Sequence, residues 1–299
     1  MSDLFSEVTI VIPTLNEAEA IGKVLNEIIN VGIPKDNILV VDGGSTDGTV
    51  DIVNSMGVKV ILQEGKGKAD AIRTAVRYIK TPFTLLMDGD YTYPARYIPE
   101  LYNKIKQGYD LVIGARLLDR SSQGILFKFG NKVLTKFFNV LFGTGLRDVL
   151  SGMYIIRTSI LKELFFETRS FGIETEIVAH VVNTTNRIAE VPIEYRRRLG
   201  KKKLKVRHGF LILREMIRLA WRYNPTFFIF AMGSLPLILG LILGTYVAYY
   251  YLFVGIVYYM KGLIAIILTL VGFQSLLLAI LSLYLKRMEY RLMRILKRD

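Results

Sequence analysis

Two carboxylates, Asp88 and Asp90, stand one residue apart around Gly89, at the end of the apolar run Leu85, Leu86 and Met87. A short apolar run that stops in acids reads as a buried strand delivering carboxylates to the carboxyl edge of a sheet, which is where open α/β sheets bind ligands. Two acids at that spacing can approach one divalent cation. Mg2+ takes one or two carboxylates and leaves its other positions to water and substrate phosphates. The pair therefore points to a substrate bearing a diphosphate, with Mg2+ or Mn2+ as cofactor. Asp-Gly-Asp is also ordinary turn chemistry, so the other strand ends must decide between the readings.

Four short apolar or β-branched runs, 8–12, 38–41, 58–62 and 84–87, alternate with stretches of helical spacing, the first through Ile21, Val24, Leu25 and Ile28. Strand-then-helix alternation predicts an α/β fold with a mostly parallel sheet and helices on both faces. The chemistry-bearing residues fall at the carboxyl ends of these strands: Pro13, Asn16 and Glu17, then Asp42, Ser45 and Asp47, then Lys66, then Asp88 and Asp90. Asp47 would serve equally as a helix cap and Lys66 as a solvated turn residue. Their recurrence at successive strand ends argues for one shared site.

The 299 residues leave room for a soluble domain of about 200 residues and something smaller. Residues 223–260 carry no charged side chain, and after the single Lys261 a second uncharged run covers 262–285. Runs of this length predict two transmembrane helices, over 227–247 and 263–285. The net charge of +13 does not indicate nucleic acid, because the basic residues crowd both flanks of this hairpin: Arg196, Arg197, Arg198, Lys201, Lys202, Lys203, Arg207, Arg214, Arg218 and Arg222 before it, Lys286, Arg287, Arg291, Arg294, Lys297 and Arg298 after it. The positive-inside rule then makes this a multi-pass protein of the cell membrane, with the catalytic domain and both termini cytoplasmic. The chain has no cysteine, which excludes disulfides and thiolate metal sites, and its two histidines, His180 and His208, lack ligand spacing.

Taken together, Pro13-x-x-Asn16-Glu17, Asp42-x-Gly-Ser45-x-Asp47-Gly-Thr49, Gly65-Lys66-Gly67 and Asp88-x-Asp90 resemble the inverting family 2 glycosyltransferases, whose nucleotide-sugar-binding domain is called GT-A. Gly114-Ala115-Arg116, Asp148-x-x-Ser151-Gly152 and Arg197 followed by Lys203-Leu204 resemble more narrowly the polyprenyl-phosphate hexose synthases, of the dolichyl-phosphate mannose and glucose type. The resemblance implies that Pro13, Asn16, Glu17, Asp42, Ser45, Asp47, Lys66, Asp88 and Gly89 bind the nucleotide sugar, and that Asp88 and Asp90 hold the metal. It implies further that Arg116, Ser151 and Arg197 meet the acceptor phosphate, where Arg147 could join them because a planar guanidinium grips phosphate at two points, and that an acid at Glu176 lies near acceptor and sugar, although helix capping explains an acid there as well. Gly43 stands where many relatives have a second aspartate and Thr92 where several mannose synthases have glutamine, a pattern that leans toward UDP-sugars over GDP-mannose.

On this reading residues 1–206 form the catalytic domain, including an amphipathic helix at 127–142, and 207–223 form a second such helix before the hairpin at 224–285. Aromatic faces with basic stripes suit helices lying in a membrane interface, and an apolar face equally suits core packing. The polar stretch 117–124 reads as a mobile acceptor loop or a plain connector. Residues 286–299 continue as a basic amphipathic tail whose apolar stripe suits self-association into a homo-oligomer or contact with the lipid bilayer. A phosphate acceptor already carries its negative charge, so the transfer needs no catalytic base, and in-line displacement would invert the anomeric centre. The rival readings are a glycosyltransferase for another membrane glycolipid acceptor, a processive polysaccharide synthase, whose Gln-x-x-Arg-Trp segment is missing around the sole tryptophan Trp221, and a non-catalytic nucleotide-sugar-binding scaffold.

Overall fold

The computed structural model describes residues 5–118, 124–164, 172–200 and 207–296. Most of the 117–124 stretch therefore lies outside the described residues, as do Phe171, Lys201, Lys202, Lys203, Leu204 and Arg298. The chain divides into two compact units, 1–219 and 220–299.

The first unit is built on a seven-stranded sheet in the order β3-β2-β1-β4-β6-β5-β7. Its strands are β1 (Val8–Thr14), β2 (Ile38–Asp42), β3 (Lys59–Leu62), β4 (Phe83–Leu86), β5 (Leu111–Arg116), β6 (Tyr154–Arg157) and β7 (Ile188–Ile193). The helices between them are α1 (Ala18–Asn30), α2 (Thr49–Ser55), α3 (Lys68–Val76), α4 (Ile98–Lys106), α5 (Ile125–Phe142), α6 (Thr158–Glu163) and α7 (Ile173–Thr184). The four strands expected from the apolar runs are all present, and β1, β2, β3 and β4 pair in parallel. β2 and β4 are buried along their whole length, as strands covered on both faces must be. α1 turns Ala20, Ile21, Val24, Leu25 and Ile28 onto the sheet, the spacing of a single helical face.

β6 is the exception that completes the site. It runs antiparallel to both β4 and β5, with Leu86 opposite Tyr154 and Tyr154 opposite Ile113. The segment that leads into β6 therefore arrives at the edge where β4 and β5 end. β7 returns parallel to β5, with Ile193 beside Arg116. The ends of β1, β2, β3, β4, β5 and β7 and the beginning of β6 thus share one edge.

α5 is divided along its length. Phe138, Leu141 and Phe142 are buried, with the Phe138 and Phe142 rings stacked at 4.3 Å, and Thr135 is buried as well. Ile125, Leu126, Phe129, Val133 and Val140 point to solvent. α8 (Arg207–Tyr223) buries Ile212, Met216 and Leu219 and exposes Phe210, Ile217 and Trp221.

The second unit pairs α9 (Pro225–Tyr249), which ends in a π-helical turn at Tyr250–Val254, with α10 (Tyr259–Leu296). Pro225–Val254 and Tyr259–Leu285 are long and apolar enough to cross a membrane, and only 11% and 17% of their most apolar windows are buried. A hairpin serving as a soluble core would be covered, whereas this one turns its leucines and isoleucines outward. A Cβ at Gly240 would stand 2.6 Å from the Thr269 backbone nitrogen, so glycine there permits the close approach of the two helices. Thr226 and Ser282 share a hydrogen bond of 2.7 Å, and Lys261, the one charge of the long apolar stretch, lies over the Tyr258 ring at 4.2 Å and the Tyr246 ring at 4.9 Å.

Candidate active site

The ends of β1 and β2 form a closed hydrogen-bond system. Asp42, 2% exposed, accepts the backbone N–H groups of Gly44 and Ser45 on Oδ2, each at 2.8 Å, and the Ser45 and Thr14 hydroxyls on Oδ1 at 2.5 and 3.3 Å. Ser45 Oγ in turn accepts the Asn16 N–H at 2.8 Å, and Asn16 Oδ1 accepts the Thr46 N–H at 2.8 Å. Asn16 sits at φ +51°, a left-handed conformation that asparagine tolerates better than most residues. Asp47 is exposed and accepts from the first N–H of α2, at Thr49, and the first of α1, at Ala18. It joins two helix starts. Slight burial disfavours its charge, but the hydrogen bonds from Thr49 and Ala18 outweigh that and hold its carboxyl below the usual range. Pro13 is half-buried within β1, opposite Val41.

Asp88 and Asp90 follow β4, and each is met by a cation. Lys68, the first residue of α3, donates to Asp88 Oδ1 at 2.6 Å and to Glu174 Oε1 of α7 at 2.6 Å. Arg198 donates to Asp90 Oδ2 at 2.9 Å and is ion-paired to Glu17 through its other terminal nitrogen. Thr92 fixes the remaining Asp90 oxygen with its N–H at 3.1 Å and its hydroxyl at 2.5 Å. Between these acids and Thr92 the chain turns at Tyr91 with φ +70°, a rare conformation for an aromatic residue, and Arg196 lies over the Tyr91 ring at 4.8 Å. Burial and then the charge of Asp88 push the Asp90 carboxyl up.

Beyond them lies Arg116 at the end of β5. It is buried and forms a two-pronged pair with Asp148, Nε to Oδ2 at 2.6 Å and Nη2 to Oδ1 at 2.7 Å, while its guanidinium lies 5.3 Å from the Tyr195 ring centre. Glu190 of β7 accepts the N–H groups of Arg147 and Asp148, which anchors the segment carrying them, and the Arg147 side chain is exposed. Ser151 is buried and spends its hydroxyl on the Gly114 carbonyl at 2.5 Å. The next residue, Gly152, donates its N–H to the Tyr93 hydroxyl at 2.6 Å, and a Cβ there would collide with the Asp88 carboxylate.

The structure thus gathers Asn16, Glu17, Asp42, Ser45, Asp88, Gly89, Asp90 and Arg116 at one edge. Lys66 is exposed, and it is its neighbour-but-one Lys68 that enters the acids. Arg197 is exposed, and Arg198 takes the place at Asp90. Period-two alternation carries that signal: the segment after β7 runs alongside 90–92, with Arg196 N–H on Thr92 O and Leu199 N–H on Asp90 O, so Arg196 and Arg198 share a side that Arg197 does not. Glu176 is fully buried, whereas Glu174, two residues earlier on α7, reaches Lys68. Sequence patterns do not single out Lys68, Glu174, Arg198 or Tyr93, because each pairs across a long stretch of chain.

The residues present fit a divalent cation. Asp88 is 32% exposed at its side chain, close enough to Asp90 to disturb its charge, and both acids already hold positive groups. Among the described residues no cluster of three metal-ligating side chains forms, so two carboxylates would leave most positions to water and a substrate's phosphates.

Residues 9–165 match the family described as Glycosyl transferase family 2. The chain belongs to that family. Glycosyltransferase AglJ of Haloferax volcanii is 33% identical over 281 residues, covering 92% of each chain. A dolichyl-phosphate hexose transferase of the same organism is 34% identical over 201 residues, 67% of this chain and 87% of that one. Among solved structures, glucosyl-3-phosphoglycerate synthase from Mycobacterium tuberculosis, in complex with Mn2+, UDP-glucose and phosphoglyceric acid, superimposes with a TM-score of 0.60 at 20% identity, over 74% of this chain and 82% of that one. At that identity the likeness establishes the GT-A-type fold. This family 2 glycosyltransferase therefore carries its acid pair on the fold its sequence implied.

Proposed function

We propose that this glycosyltransferase moves a hexose from a nucleoside-diphosphate sugar, of the UDP-glucose type with GDP-mannose as the alternative, to polyprenyl (dolichyl) phosphate, with inversion. The observation that carries the reading is the convergence of two acids with Lys68, Arg116 and Arg198 at one strand edge, a charge pattern suited to two phosphate groups. The relative named a dolichyl-phosphate hexose transferase supports the acceptor, and the neighbour solved with Mn2+ and UDP-glucose supports the donor and a divalent metal.

Asp42, Ser45 and Asn16 shape the nucleoside pocket. Asp88 and Asp90 would hold Mg2+ or Mn2+, which when bound supplies Lewis-acid stabilisation of the diphosphate leaving group. Arg116 and Arg198, with the exposed Arg147 next to Asp148 and the exposed Arg197 next to Arg198, orient the acceptor phosphate, whose oxygen attacks without a base because it is already an anion. In this reading α9 and α10 span the cell membrane with both termini cytoplasmic. The outward apolar residues of α5, interleaved with Lys128, Lys132 and Lys136, rest on the bilayer. α10 runs on as helix to Leu296, and self-association through that extension would give a homo-oligomer.

The test is transfer by purified full-length protein in lipid discs, using a panel of radiolabelled UDP- and GDP-hexoses with polyprenyl phosphate, with and without chelator. A chelator-sensitive, mild-acid-labile lipid product with one donor is expected. Transfer only to a neutral glycolipid, or none with any donor, would sink the reading.

A further inference from the structure

Lys68 touches both Asp88 and a residue outside the strand-end motifs, Glu174. Its ammonium bridges Asp88 Oδ1 and Glu174 Oε1, each at 2.6 Å, with 23% of the lysine side chain, 32% of the aspartate and 14% of the glutamate exposed. Burial works against its charge, yet Asp88 and Glu174 outweigh that and keep it protonated above the usual lysine range. Beside them the buried Tyr154 hydroxyl, within the field of Glu174, Lys68 and Asp88, has no hydrogen-bond partner among the described residues.

A divalent cation on Asp88 and an ammonium on Asp88 Oδ1 cannot both keep short contacts without strong repulsion. We propose that Lys68 is an internal counter-ion of the metal site: it holds Asp88 while the cation is away, and yields that oxygen, remaining on Glu174, when the cation enters. The inference rests on the reading of Asp88 and Asp90 as the metal carboxylates. Glu174 keeps the displaced ammonium paired inside the site, where the buried Tyr154 hydroxyl shares its field. Lys68 is thereby a positioning residue. It sets how tightly the metal binds before the donor's phosphates arrive, and holds the carboxylate in shape meanwhile.

The experiment measures Mn2+ binding to the full-length protein in detergent by the electron paramagnetic resonance signal of free Mn2+, with no donor present and with melting temperature recorded in parallel. Lys68→Met removes the competing charge and should tighten Mn2+ binding about tenfold or more, given the size of a charge–charge contact at a few ångströms. Glu174→Gln leaves Lys68 with Asp88 as its only charged partner among the described residues and should weaken Mn2+ binding; the opposite signs distinguish competition from damage. Unchanged or weaker binding in Lys68→Met, with or without a lower melting temperature, overturns the proposal. Should Lys68→Met not fold, unchanged or tighter binding in Glu174→Gln overturns it. Asp90→Ala separates the two levels: wild-type Mn2+ affinity there overturns the acid-pair reading and the proposal with it, whereas lost binding there without a gain in Lys68→Met overturns the proposal alone.

Discussion

Around Asp42 both carboxylate oxygens are met by neutral donors from Gly44, Ser45 and the adjoining strand, whereas Asp88 and Asp90 are met by Lys68 and Arg198, cations brought in from α3 and from the segment beyond β7. The first arrangement is closed. Its hydrogen bonds lie within the turn after β2 and between that turn and the end of β1, and they are independent of any ligand charge, so it suits a pocket that must hold one shape. The second is the arrangement that the proposed exchange of counter-ions would use. Its anions are balanced by bridging cations, so an entering metal would take over the carboxylates and the displaced cations would be left for phosphates, at small net change in charge. On the proposed reading, donor recognition and chemistry are thus wired differently on one strand edge.

The strongest way to break this contrast is to remove an exchanging acid. Asp90→Ala should lower transfer about 10³-fold, the scale of losing a main charge-stabilising group, with little change in melting temperature because Arg198 keeps Glu17. Chelator on the wild type should match it. Full activity in the variant, measured at saturating donor, would show that the acid pair is only a turn.

Arg116 tests the boundary between the halves. Its motif points to a phosphate ligand, yet it is buried and committed to Asp148, which is 2% exposed. Arg116→Met should cost about 3 kcal/mol of stability by stranding that carboxylate, seen as a lower denaturation midpoint. The double change Arg116→Met/Asp148→Leu should regain most of the stability and none of the transfer. Recovery of transfer in the double variant would make Arg116 purely a support.

Much of the fold was legible because its signals are local. The apolar runs at 8–12, 38–41 and 84–87, and the acids that end the last two, needed only strand length and position. β6 was not legible: its reversal depends on pairing with β4 and β5, and nothing in its four residues distinguishes antiparallel from parallel. The same physics divided the site. Asp42, Asp88 and Asp90 lie at strand ends and stand out, whereas Lys68 and Glu174 are 106 residues apart and meet only through the folded sheet. Where sequence favours Lys66 and Arg197 over Lys68 and Arg198, it chooses between near neighbours whose side is set by a helix start and an extended segment. Ser151 was expected at the acceptor phosphate, and its hydroxyl is instead spent on the Gly114 carbonyl.

Within the closed half, Asp42→Asn should be a moderate lesion. The amide oxygen can keep the Gly44 and Ser45 N–H groups while its NH2 faces the Ser45 and Thr14 hydroxyls, which can rotate to accept; Ser45 then loses its present acceptor. A stability cost of about 1 kcal/mol and a donor KM raised about tenfold at nearly constant kcat are expected. A collapse of kcat with unchanged KM would place Asp42 in the chemistry instead.

The smallest effect is expected at Asp47, and it discriminates between the two explanations of the motif. If the residue contacts the donor, neutralising it should raise donor KM. The structure gives its oxygens to the Ala18 N–H at 3.0 Å and to the Thr49 N–H and hydroxyl at 3.1 and 2.5 Å, which uses them to start α1 and α2. Asp47→Asn should therefore leave donor KM unchanged, and Asp47→Ala should cost about 1 kcal/mol, as the loss of a cap does. The pH dependence has a definite sign. Because the folded-state carboxyl is held below its usual range, its contribution to stability is fully present above the unfolded value of about pH 4 and fades as pH falls through the lowered folded value. Urea midpoints of wild type and Asp47→Ala should accordingly converge below about pH 4, while a gap that stays constant down to about pH 2.5 would mean that the charge of Asp47 contributes nothing to the caps.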